Sequence, residues 1–128
     1  MANNAQTVIS PYGTIVRQEN GLIYYYKSDD ISIDSSVANE LLKLLYTLDN
    51  SYAAKVIVVQ GHRIEYSFEA QRLLLTSELF AKIAYVIETS TQFMTAELLQ
   101  DLAKTFRSQA EIKLFQQVEE AESWLLEG

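Results

Sequence analysis

The chain has 128 residues, 48% of them hydrophobic and 11% aromatic, with four glycines, one proline and no cysteine, a globular composition of single-domain length that excludes disulfides and thiolate metal sites. Ten basic residues against seventeen acidic ones give a net charge of -7, which excludes the concentrated positive surface that nucleic acid demands. Met1–Ser10 lacks the basic start and apolar centre of a secretory signal, and no run approaches the roughly 20 apolar residues of a membrane span, so the cytoplasm is expected and stable membrane insertion is not.

In chain order, residues 1–11 read as a flexible N-terminal tail and 12–128 as one α/β domain. Thr14–Gln18 and Leu22–Lys27 are rich in β-branched and aromatic residues, and Glu19-Asn20-Gly21 between them supplies the positive φ of a tight reversal, so a hairpin is predicted. Along the second strand Tyr24 and Tyr26 share one face with Leu22, and Ile23 and Tyr25 share the other. Asp34 caps a predicted helix whose Val37, Leu41, Leu44, Leu45 and Leu48 recur at helical spacing.

Lys55–Gln60 and Lys82–Ile87 are apolar along their whole length rather than on alternate residues, the mark of strands covered on both faces. A short helix is predicted between them, from about Ser67 to Leu75. After the second run, Thr89-Ser90-Thr91 offers capping hydroxyls before a helix in which Met94, Leu98, Leu102 and Phe106 recur every four residues as an apolar stripe, read as core. Glu111–Phe115 then reads as a strand, and Val118, Ala121, Trp124 and Leu125 mark the buried side of a closing helix whose early glutamates meet its positive dipole end. The predicted order is ββαβαβαβα, a five-stranded, mostly parallel sheet with one antiparallel member and about four helices.

The residues that carry chemistry are sparse. His62 is the only imidazole, and one histidine without cysteine makes no zinc site. No Gly-x-Ser-x-Gly elbow occurs, and Asp29-Asp30 and Glu119-Glu120 are adjacent carboxylates that point apart in regular structure. No enzyme, cofactor or metal is expected from this inventory.

Gly21-Leu22-Ile23, the Ser67-x-x-Ala70-x-Arg72 helix start, Ala84-Tyr85-Val86, and Ile112-x-Leu114-Phe115 followed by Glu119-Glu120-Ala121-x-x-Trp124-Leu125 together resemble the small bacterial STAS-like proteins, relatives in fold of the anti-sigma factor antagonist SpoIIAA. The resemblance spans residues 12–127 and implies a SpoIIAA-like fold and a regulatory, protein-binding role. In antagonist domains a serine at the helix start after the central strand is phosphorylated, where backbone N–H groups and the helix dipole hold the dianion. Here that stretch reads Gly61-His62-Arg63-Ile64-Glu65-Tyr66-Ser67-Phe68-Glu69, without the family's aspartate, two serines and glycine; Phe68 falls at the phosphorylated position and Ser67 reads as a helix cap. The resemblance therefore implies a non-enzymatic module without the usual serine switch.

The predicted contact surface for a protein partner is His62, Arg63, Glu65, Tyr66, Ser67 and Phe68. The competing expectation is a carrier or sensor of a small apolar, lipid-like ligand held between the sheet and the Met94, Leu98, Leu102 and Phe106 stripe. Edge strands and spare aromatic residues also allow a homodimer.

Overall fold

A computed structural model describes residues 6–59 and 62–127. The expectations for residues 1–5, for Gln60 as a strand end and for Gly61 as part of the contact loop lie outside the described residues. The elements are β1 (Gln6–Ser10), β2 (Gly13–Arg17), β3 (Ile23–Lys27), β4 (Ser32–Ile33), α1 (Ser35–Leu48), β5 (Ala54–Val59), β6 (Glu65–Tyr66), α2 (Phe68–Leu75), β7 (Phe80–Val86), α3 (Ser90–Thr105), β8 (Glu111–Phe115) and α4 (Val118–Leu126).

Six strands form one sheet in the order β1-β2-β3-β5-β7-β8, while β4 and β6 make a separate two-stranded parallel ladder. The pairings β1–β2 and β2–β3 are antiparallel, and β3–β5, β5–β7 and β7–β8 are parallel. The expected five-stranded sheet is thus corrected to six, and the added strand falls inside the stretch expected to be a flexible tail. That strand is short and polar, which is why its composition resembles a tail. It forms because the chain reverses at Pro11-Tyr12, where the Ser10 hydroxyl donates to the Gly13 carbonyl at 2.9 Å and accepts from the Tyr12 amide at 3.2 Å. Gly13 has φ +135°, and a Cβ there would lie 2.2 Å from the Tyr26 carbonyl oxygen, so no other residue fits the turn.

The predicted hairpin closes as expected. Gly21 takes φ +87°, the Gln18 amide donates to the Leu22 carbonyl at 3.0 Å, and the Asn20 side chain accepts from the Leu22 amide. The strand, crossover helix, strand units then step across the sheet in one direction, so right-handed connections stack α1, α2 and α3 on the same face. Helix α4 covers the other. Two cores result: Ile23, Tyr25, Val56, Val58, Ile83 and Tyr85 lie under α1–α3, and Leu22, Tyr24, Ile57, Ala84 and Val86 lie under Ala121, Trp124 and Leu125 of α4. Val56, Ile57 and Val58 are all buried, as the uninterrupted apolar run requires.

Candidate functional site

The stretch predicted as a contact surface is anchored to the segment before α1. The β4–β6 ladder pairs Ser32 with Glu65 and Ile33 with Tyr66; the His62 amide donates to the Asp29 carboxylate at 2.8 Å, and Arg63 forms a bidentate pair with Asp30. Arg63 and Asp30 both adopt φ 57°, the left-handed conformation that lets this loop turn tightly. The Arg63 guanidinium holds the Asp30 carboxyl below its ordinary range, and both side chains remain largely in water. His62, Arg63, Glu65, Ser67 and Phe68 are exposed. Ser67 acts as the N-cap of α2, its hydroxyl accepting from the Ala70 amide at 3.0 Å.

Tyr66 departs from this expectation. It turns inward, and its buried hydroxyl has no hydrogen-bond partner among the described residues. The side chain lines a cavity of about 50 Å³ between the sheet and helices α1 and α2, walled by Leu41 and Leu45 of α1, Leu74 and Leu75 of α2, and Val56, Val58, Ile83 and Tyr85 of the sheet. Lys27 reaches into the same space. Its Nζ lies 4.3 Å from the centroid of the Tyr66 ring and 5.8 Å from those of Tyr25 and Tyr85. Among the described residues no carboxylate pairs with it. Burial lowers its pKa to about 7 and raises those of Tyr25 and Tyr85. The sequence signal for this lysine is period-two alternation, because the pattern that turns Ile23 and Tyr25 toward α1 turns Lys27 the same way.

The α3 stripe is a second correction. Met94 is 68% exposed and Leu98 51%, so neither walls a cavity against the sheet. The sheet-facing positions are instead Gln92, Ala96, Leu99 and Ala103. The reason is geometric: a spacing of four exceeds the 3.6-residue turn, so each step drifts by roughly 40° around the helix. The stripe winds from open water at Met94 to the α2 contact at Phe106, whose ring meets that of Phe68 edge-on at 5.8 Å. Phe68 is itself 61% exposed and Phe93 43%. Met94 and Leu98 are thus the exposed half of the stripe, while Leu102 and Phe106 pack against the core, and Phe106 brings the exposed ring of Phe68 to its far end as an apolar ridge shared by α3 and the start of α2.

Comparison with family models, with curated proteins and with solved structures finds no match to this chain. The ridge and the cavity are thus read on their own chemistry. Among the described residues no cluster of histidine and carboxylates could hold a metal, and no helix is long and apolar enough to cross a membrane. The ridge offers apolar contact area flanked by the exposed carboxylates Glu97 and Asp101, which precede each following ridge residue by one position. The cavity offers one ammonium and one unsatisfied hydroxyl among apolar walls.

Proposed function

We propose that this chain is a non-enzymatic regulatory or protein-interaction module that docks a partner protein along the outside of α3 and the start of α2. The observation that carries the reading is the exposure of Met94 and Leu98 on the outward side of α3 and of Phe68 at the start of α2, where its ring meets that of Phe106. Glu97 and Asp101 rim that surface, and the whole chain is acidic, so the complementary face is apolar at its centre and basic at its edge. The resemblance to STAS-like proteins supports a regulatory role. The module works without the serine switch of antagonist domains, since Ser67 is engaged as a cap and an apolar ring occupies the next position. A cytoplasmic setting belongs to the same proposal.

The test is site-specific photo-cross-linking in the native host, with the reactive residue at Leu98 and a control at Glu120 on the opposite face of the sheet. The expected result is a single protein cross-linked from Leu98 and absent from the control, which then binds the purified chain. Cross-links equal from both positions, or only to a second copy of this chain, would contradict the proposal.

A further inference from the structure

We propose that the cavity between the sheet and helices α1 and α2 is a binding site for a small organic anion with a short apolar body, of the short-chain carboxylate class. Its charged end meets Lys27 Nζ and Tyr66 Oη, and its hydrocarbon lies toward Leu45 and Ile83. This site is independent of the α3 ridge.

Three observations converge. First, the ammonium of half-buried Lys27 sits among the rings of Tyr25, Tyr66 and Tyr85, and among the described residues no carboxylate forms an ion pair with it. Second, the Tyr66 hydroxyl is buried and unsatisfied, a donor for which the described residues supply no acceptor. An incoming carboxylate has two oxygens and satisfies both groups at once, with charge-assisted geometry that a neutral ligand lacks. Third, Lys27 is the last residue of β3, at the carboxyl end of the parallel strands, where open α/β sheets receive their ligands. The remaining walls are aliphatic and aromatic, which selects an apolar body, and about 50 Å³ admits only a short one.

The proton balance gives the site a signature. Tyr25 from the same strand, Tyr66 from β6 and Tyr85 from β7 face Nζ; α1 and α2 contribute Leu41, Leu45, Leu74 and Leu75, which do not titrate. Burial holds Lys27 at about 7, so an anion that favours the ammonium must draw in a proton above that pH. Affinity is therefore flat from about pH 7 down to the range where the ligand's own carboxylate protonates, and it falls as the pH rises beyond about 7.

The experiment titrates butyrate into the isotope-labelled full chain, followed by methyl and lysine NMR, with butyramide as the uncharged analogue. Butyrate is expected to shift the methyl signals of Ile33, Val58 and Ile83, to raise the Lys27 titration midpoint, and to bind more weakly at alkaline pH. Butyramide and the Lys27→Met variant are expected to reduce affinity about tenfold or more, and the Tyr66→Phe variant by a smaller factor. Preserved amide spectra show that each variant is folded. Unchanged cavity methyls at saturating butyrate, equal affinity for butyramide, or undiminished binding by a folded Lys27→Met chain would overturn the proposal.

Discussion

Ser67 and Lys27 lie at opposite extremes of what a single side chain does here. The Ser67 hydroxyl satisfies an otherwise unpaired amide at the start of α2, so Ser67→Ala should lower stability by about 1 kcal/mol in chemical denaturation, while Ser67→Asp keeps the cap and loses little. A substitution that leaves stability untouched would detach Ser67 from the cap. Lys27 works against the fold instead. Its pKa falls from 10.5 to about 7, so between those values the unfolded chain holds a proton that the native chain has released, and stability rises with pH. Above pH 10 the trend reverses, because Tyr25 and Tyr85 keep protons that the unfolded chain gives up. Thermal melts should therefore climb from pH 7 toward 9.5, and Lys27→Met should raise the pH 7 melting temperature by roughly 3–5 °C for each kcal/mol relieved and flatten the climb. A variant that melts lower at pH 7 would show the ammonium to be stabilising.

Among the elements, α3 separates what its sequence discloses from what its packing decides. Its start is legible: Thr89 accepts from the Gln92 amide at 3.1 Å while the Gln92 side chain accepts from the Thr89 amide at 3.1 Å, a capping box announced by residue type and spacing. Its buried face is not. The inward positions are largely small or polar, Ala96, Ala103 and Gln92, and the large apolar residues that dominate the pattern point elsewhere. Replacing Met94 and Leu98 together with serine should change stability by no more than about 1 kcal/mol, whereas Leu99→Ala should cost about 2–5 kcal/mol. Comparable losses from both would return the stripe to the core. The hairpin, α1 and α4 were legible because Gly21, Asp34 and the Ala121, Trp124 and Leu125 spacing each agree with the final packing. Strand β1 was hidden because its stability comes from pairing with β2, a partner that local composition does not reveal. The cavity was hidden for a related reason, since Lys27 and Tyr66 are far apart in sequence and meet only through the β4–β6 ladder and the sheet.

For the molecule as a whole, unequal cover of the sheet sets a gradient of stability. Strands β5 and β7 are interior and sheltered on both faces, while β1 is an edge whose Ile9 is 82% exposed. Amide hydrogen exchange should be slowest in β5 and β7 and fastest in β1, and a β1 as protected as the centre would mean that another chain covers it. The proposed docking surface lies on the outside of the helical layer. Docking along α3 is tested most directly by titrating the partner cross-linked from Leu98 with the Met94→Lys, Leu98→Glu chain and with the unaltered chain. The account predicts a dissociation constant weakened by about thirtyfold or more at unchanged melting temperature, the loss expected from two central apolar anchors. Equal dissociation constants for the two chains would contradict it.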